Sequence, residues 1–194
     1  MSTLSLLLAI TIRVYDGYAL PSTVLDQAVM VAGATFAEAG FTADFIVCEQ
    51  TGVLPGCQHP PGPKEIVLRL QAGPRDGDKV LGTAFIDRAT GTGTLASLNA
   101  LVITEVARRA DVDLAPLLGR ALAHEVGHLL LGRTSHSPRG LMRRLWTDAE
   151  LRGSDDALWR FTGDEVAAIL ERLSGSATSA TTAESGGRLA KVLK

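Results

Sequence analysis

The residues best suited to chemistry lie in one short segment, HEVGHLLLGRTSH at 124–136, which holds three of the chain's four histidines. Residues four apart on an α-helix share a face, so His124 and His128 can place two imidazole nitrogens on one metal ion. Glu125 lies one step round the helix, where it can reach a metal-bound water without being a ligand itself. This pattern suits metal-assisted hydrolysis, in which the glutamate accepts a proton from the attacking water.

Two histidines and one water leave a fourth position open on a tetrahedral zinc ion. The sequence favours His136 as the third protein ligand, because Gly132 can end the helix in the left-handed conformation and turn the chain back. A carboxylate from the next region of the chain is the alternative, and the acids within reach are Asp148, Glu150, Asp155 and Asp156. A helix that carries surface histidines and binds no metal is the simplest remaining interpretation.

The helix that must position these residues is predicted over about 114–131. Asp113 is a natural N-cap, Pro116 falls in the first turn, and Gly132 follows the last apolar residue. A further helix is predicted from the capping box at 162–165 to about residue 173. Hydrophobic alternation and turn signals predict the elements before the central helix: strands at 8–15, 41–48, 65–71 and 80–87, a helix at 23–39, and a strand passing into a helix at 96–110.

This order of elements predicts one α+β domain over residues 1–173. Its architecture is an α/β sandwich with a mixed sheet, one long central helix and a small helical C-terminal subdomain. The Gly/Thr-rich segment after residue 87 is predicted to be a turn or a flexible loop. Residues 174–194 are rich in Ser, Ala, Thr and Gly, and this composition predicts a disordered tail.

Composition and charge exclude several classes of partner. The net charge is -2 and no block of like charges occurs, which argues against nucleic acid as the main partner. No apolar run reaches the roughly 18 residues of a membrane-spanning helix. The N-terminal MSTLSLLLAITIRV has no basic residue before its apolar part and no small-residue cleavage site, so it is predicted to be a strand rather than a signal peptide.

The two cysteines bracket a tight Pro/Gly-containing loop, CEQTGVLPGC. A disulfide between Cys48 and Cys57 would close this loop. The alternatives are two free thiols, or a Cys-Cys-His metal site that includes His59. The metal site has no fourth ligand and no recognised spacing.

The histidine segment and the residues directly after it resemble the metzincin clan of zinc endopeptidases, and the matrixins in particular. The resemblance rests on HExxH followed by a glycine, a third histidine and a methionine, here in HEVGHLLLGRTSHSPRGLM. It implies that His124, His128 and His136 bind one catalytic zinc ion and that Glu125 is the general base. It also implies that Met142 is the Met-turn residue beneath the metal.

The motif is longer than the usual HExxHxxGxxH and reads HExxHxxxGxxxH, with Thr134 where the third ligand normally lies. The resemblance further implies a zincin-like mixed sheet whose edge strand pairs with extended substrate, and VLGTAFID at 80–87 is the candidate. It implies a peptide or protein substrate and favours a secreted or extracytoplasmic location. We expect a monomer.

The sequence thus predicts a zinc-dependent endopeptidase. One alternative is a zincin of another clan, an aminopeptidase or endopeptidase with a carboxylate as third ligand. A second is a non-catalytic binding module stabilised by zinc. Glu125 argues against the binding module, because a structural zinc site needs no base and is normally closed by four protein ligands.

Overall fold

A computed structural model of the chain describes residues 8–48, 55–62, 64–73 and 80–185, with side chains at 8–48, 56–62, 64–73 and 80–175. The strands in this part of the chain are β1 (Leu8–Asp16), β2 (Phe41–Cys48), β3 (Glu65–Gln71), β4 (Gly82–Asp87) and β5 (Thr92–Asn99). The helices are α1 (Ser22–Glu38), α2 (Pro55–Gln58), α3 (Ala100–Ala110), α4 (Leu114–Leu131), α5 (Asp148–Arg152) and α6 (Gly163–Ser185), with a 3-10 turn at Asp156–Trp159.

The strands form one five-stranded mixed sheet in the order β2-β1-β3-β5-β4. β1, β2, β3 and β5 run parallel, and β4 pairs with β5 in the antiparallel direction at one edge of the sheet. The predicted fold class, an α+β sandwich with a mixed sheet and a long central helix, is confirmed. The segment predicted to be the edge strand lies at that edge as β4.

α1 and α4 pack against each other, and α4 also packs against β4 and β5. Gly119 of α4 permits a close approach of the two helices, because a Cβ there would lie 2.5 Å from the carbonyl oxygen of Ala28 in α1. From Ala121 to Leu131 every side chain of α4 is buried. The helix that carries the histidine motif is therefore the centre of the core.

The bounds predicted for α4 and the strand-to-helix passage into α3 agree with the structure. Two boundaries were predicted wrongly. The Gly/Thr-rich segment contains only a short turn, with Gly91 in the left-handed conformation, and Thr92 already begins β5. The last helix continues to Ser185 rather than ending near 173. Residues 186–194 of the predicted tail lie outside the described residues.

Cys48 and Cys57 form a disulfide that joins the end of β2 to α2, with their Cα atoms 5.7 Å apart. A Cys-Cys-His metal site with His59 is therefore excluded, because both sulfur atoms are bonded. The backbone of His59 instead accepts a hydrogen bond from Arg13 of β1 at 2.5 Å. Among the described helices, none is both long enough and apolar enough to cross a membrane.

Candidate metal centre

His124 and His128 project from the same face of α4, and their Nε2 atoms lie 3.1 Å apart. Each Nδ1 lies 2.9 Å from a backbone carbonyl oxygen, that of Leu141 for His124 and that of Arg133 for His128. A ring nitrogen facing a carbonyl oxygen carries the proton, so both Nε2 atoms present lone pairs. Two such ligands of a tetrahedral zinc ion would lie about 3.3 Å apart. The pair is therefore arranged for a shared cation.

His136 completes the cluster from the loop after α4. Gly132 ends the helix in the left-handed conformation, with φ of 64°, and the chain turns back over the helix face. The His136 ring centroid lies 5.3 Å from that of His124 and 4.8 Å from that of His128. One ligand atom from each histidine falls within 4.8 Å of the others. Three imidazoles that leave one position open are the donor set of a catalytic zinc site.

The three imidazoles are held in their neutral, metal-binding form. Burial lowers the pKa of His124 to about 4 and also lowers the pKa of His128. The pKa of His136 is lowered by partial burial and by the positive charge of Arg144. At neutral pH the nitrogen lone pairs are therefore available without loss of a proton.

The loop after His136 is closed on itself and tied to the C-terminal region. The Ser137 backbone N–H donates to the Met142 carbonyl at 2.9 Å, and the Leu141 N–H donates to the Arg160 carbonyl at 2.8 Å. The Leu141 carbonyl oxygen in turn accepts a hydrogen bond from the Nδ1–H of His124. One short loop thus supplies the third histidine and the acceptor that orients the first.

Met142 is fully buried beneath α4. A Cβ on Gly127 would lie 2.7 Å from the Met142 sulfur and 2.7 Å from the Phe161 ring. Gly127 lies between His124 and His128 in sequence, so the methionine packs under the stretch of helix that carries both. This location is compatible with the Met-turn role implied by the family resemblance, and that role remains a prediction.

Glu125 lies between α4 and the edge strand β4, where it is buried. A Cβ on Gly82 of β4 would lie 2.6 Å from the Glu125 Cγ and 2.8 Å from its Oε1. Burial raises the pKa of Glu125 to about 8, against the opposing effect of a backbone hydrogen bond from Ala84. A carboxyl group with a pKa this near neutrality can exchange a proton there, and a cation bound beside it would lower the pKa and favour the carboxylate form that accepts one.

Glu165 is a site residue that the sequence reasoning found only as part of a helix cap. Its Oε2 accepts from the Thr162 N–H at 2.8 Å, as the capping box predicts. Its Oε1 also accepts the Ser137 hydroxyl hydrogen bond and lies 3.5 Å from the Arg133 guanidinium. No local pattern indicates this second role, because Glu165 and Ser137 are 28 residues apart. The buried carboxylate ties α6 to the loop on both sides of His136.

None of the four acids considered as a third ligand joins the histidine cluster in the described part of the chain. Asp148 pairs with Arg109 at 2.8 Å. Glu150 pairs with Arg143 and closes a capping box at the start of α5. Asp155 accepts from a backbone N–H of the 3-10 turn, which begins at Asp156. The geometry does not support a carboxylate ligand.

A cleft of about 840 Å³ opens in front of the histidines. Its walls come from the start of β4, from α3, and from the residues just after Met142. Trp146 forms part of the floor, with its ring edge-to-face against His124 at a centroid distance of 5.6 Å. Trp159 contacts Trp146 in the same way at 5.2 Å. The candidate metal centre is thus accessible to a large ligand from one side.

Comparison with known proteins gives a match in fold and none in sequence. The sequence matches no family model and no curated protein. The structure resembles that of archaemetzincin from Methanopyrus kandleri, with a TM-score of 0.52 and 17% identity over 86% of this chain and 97% of that one. It also resembles metalloproteinase-II from Bacteroides fragilis, with a TM-score of 0.56 and 13% identity over 84% of this chain and 52% of that one. The third similar structure is a zinc-dependent peptidase from Methanocorpusculum labreanum, with a TM-score of 0.50 and 15% identity over 81% of this chain and 99% of that one.

At these identities the comparisons establish only that this chain shares its fold with the three proteins. The three-histidine cluster is this chain's own feature and is found independently of them. Fold and cluster together indicate zinc as the metal.

Proposed function

We propose that this protein is a zinc-dependent endopeptidase in which Glu125 is the general base. The observation that carries the proposal is the convergence of His124, His128 and His136 beside a buried glutamate, at the back of an open cleft. A zinc site that only stabilised structure would need neither the open position nor the glutamate.

The three histidines and Glu125 have separate roles in the proposed reaction. Zinc held by the three histidines would supply a water of lowered pKa and polarise the substrate carbonyl. Glu125 accepts the proton of the attacking water and delivers it to the departing amine. Contact with Gly82 and Ala84 of β4 fixes the carboxyl group between the helix and the strand.

Strand β4 supports a peptide as the substrate. It is the last strand of the sheet and pairs only with β5 among the described strands, so its outer edge can receive an extended chain. Val80 before the strand and Gly82 at its start both line the cleft, while the strand continues past Glu125 to Asp87. A peptide on this edge would extend to both sides of the centre, which favours internal cleavage over removal of a terminal residue.

The finer assignment is also part of the proposal. We assign the chain to the metzincin clan with a matrixin-like arrangement, on the strength of the lengthened motif and of Met142 buried beneath the helix. The disulfide between Cys48 and Cys57 supports an extracytoplasmic location, because such bonds persist in oxidising compartments. We propose that the protein acts as a monomer.

Hydrolysis of matched peptides with acetylated and with free N-termini by the zinc-loaded protein tests this function. We expect internal cleavage that a chelator abolishes and added zinc restores. Glu125→Gln should retain one zinc per chain and lose about 10²- to 10⁴-fold in rate, because only the base is removed. Cleavage restricted to peptides with a free N-terminus would indicate an aminopeptidase. A wild-type protein that binds zinc and cleaves no peptide would indicate the binding module.

A further inference from the structure

Three arginines line the cleft, and one of them has no partner among the described residues. They are Arg109, Arg143 and Arg144. Arg109 is paired with Asp148, and Arg143 is paired with Glu150 and also donates to the Gly140 carbonyl at 2.9 Å. Arg144 has neither an ion pair nor a hydrogen bond with any of the described residues. Its exposed guanidinium is therefore available to a ligand in the cleft.

The position of Arg144 distinguishes it from other exposed charges. It lies near enough to His136 for its charge to act on that imidazole, so it is adjacent to the candidate metal centre. Glu105 of α3 is an exposed acid that also lines the cleft. A substrate held at the histidines would lie beside the charge of Arg144, since Arg144 and His136 line the same cleft.

We propose that Arg144 binds a carboxylate of the peptide substrate close to the bond that is cleaved, and so determines specificity. A guanidinium presents parallel N–H donors that match the two oxygens of a carboxylate, and its charge persists at all physiological pH values. The cleft also contains exposed apolar side chains, Leu145 next to Arg144 in sequence and Val80 just before β4, which would accommodate the carbon chain that bears the carboxylate. This inference rests on the proposed function, because it names the substrate class of the same site.

Two sources can supply the carboxylate, an Asp or Glu side chain within the peptide or the C-terminal carboxyl group of a short peptide. Matched peptides separate them. One series carries glutamate or glutamine at each position around the cleaved bond, and a second carries a free or an amidated C-terminus. A preference for glutamate at one position identifies the side chain as the source, and a preference for the free terminus identifies the C-terminal carboxyl group.

The test measures kcat and KM for these peptides with wild-type protein, Arg144→Gln and Arg144→Lys. We expect a preference for the carboxylate of about five- to ten-fold in kcat/KM, which Arg144→Gln abolishes and Arg144→Lys partly retains. Arg139→Gln is the matched control, because Arg139 is an exposed arginine of the same loop that does not line the cleft. An equal loss by Arg144→Gln on all peptides would overturn the proposal, since it would indicate contact with the reacting carbonyl group. An unchanged preference would also overturn it.

Binding measured without hydrolysis keeps this inference separable from the proposed function. The same peptides are titrated calorimetrically into zinc-loaded Glu125→Gln protein, with and without Arg144→Gln. A carboxylate preference in affinity that depends on Arg144 supports the inference even if wild-type protein cleaves no peptide. Equal affinities for the glutamate and glutamine peptides, and for the free and amidated ones, would overturn it.

Discussion

The two halves of the candidate metal centre are positioned by different means. The helical half consists of His124, Glu125 and His128, which α4 holds in the buried core. The loop half consists of residues 132–147, where His136 is exposed. Helical periodicity places the first set on one face, whereas the loop has no such repeat and depends on individual hydrogen bonds.

The two halves of the centre also hold each other in place. The loop carbonyls of Arg133 and Leu141 accept the Nδ1 protons of the helical histidines and so direct their Nε2 atoms at the metal position. Met142 of the loop packs against Gly127 of the helix. Damage to the loop should therefore reduce zinc binding even where no ligand is removed.

Removal of the loop-borne ligand should have the largest effect. We expect His136→Ala to weaken zinc binding by at least about 100-fold, more than the loss of an orienting group, because a direct bond to the metal is lost. Asp156→Ala is the control and should retain zinc, since Asp156 is an exposed acid of the 3-10 turn that lies outside the histidine cluster. Metal content of the purified proteins and competition with a chromophoric chelator measure both. Retention of zinc by His136→Ala would refute its role as the third ligand.

The disulfide lies in neither half of the centre. Its loss should therefore separate an effect on stability from an effect on zinc binding. The bond closes a loop with a sequence separation of 9, which corresponds to about 2–3 kcal/mol of unfolding free energy. We expect the Cys48→Ala/Cys57→Ala protein to unfold at lower denaturant concentration and to bind zinc as the wild type does. A reducing agent should destabilise the wild type and leave the double variant unchanged. Weaker zinc binding in the folded double variant would contradict this separation.

Glu165→Gln tests the attachment of the loop to α6. The neutral amide can still cap the helix but loses the charge-assisted bonds to Ser137 and Arg133, which costs about 1.5–3 kcal/mol of stability. Zinc affinity should also fall by roughly 10-fold, since the loop orients two histidines. Glu171→Gln, an exposed change on the same helix, is the control. If Glu165→Gln lowers stability and leaves zinc affinity intact, Glu165 only caps the helix.

Gly127→Ala tests the contact between the two halves. The new methyl group would lie 2.7 Å from both the Met142 sulfur and the Phe161 ring, so we expect a loss of about 1–3 kcal/mol from overpacking. Gly175→Ala is a matched change in α6, where a Cβ meets no atom within 4 Å, and it should stabilise the protein by about 0.5–1 kcal/mol. Thermal unfolding of both variants measures these changes in stability. Equal stability of the two would show that the contact is not tight.

The residues of the centre that could be predicted from sequence are those whose positions follow from the α-helical repeat. The spacing of His124, Glu125 and His128 defines one helix face, and Gly132 marks the end of that helix. His136 could be proposed but not fixed, because the path of an irregular loop depends on partners distant in sequence. One such partner, Glu165, was recognised only as a helix cap, since a capping box is a local pattern and its bond to Ser137 is not.

The strands show the same limit. Alternating apolar residues predicted the strands from β1 to β4, but glycines and threonines concealed the start of β5 at Thr92, where backbone pairing with β4 determines the conformation. The contact between Gly82 and Glu125 could not be predicted either, because it requires the antiparallel edge strand to lie beside α4.

Both tryptophans of the chain lie in one edge-to-face pair, with Trp146 also against His124. The tryptophan fluorescence of the protein therefore originates beside the candidate metal centre, while the sheet contains no tryptophan. Under excitation that selects tryptophan over tyrosine, changes in emission will report occupancy and movement around His124 without an added label. For the same reason, a melting curve followed by tryptophan emission and one followed by far-ultraviolet circular dichroism will coincide only if this region unfolds together with the rest of the chain.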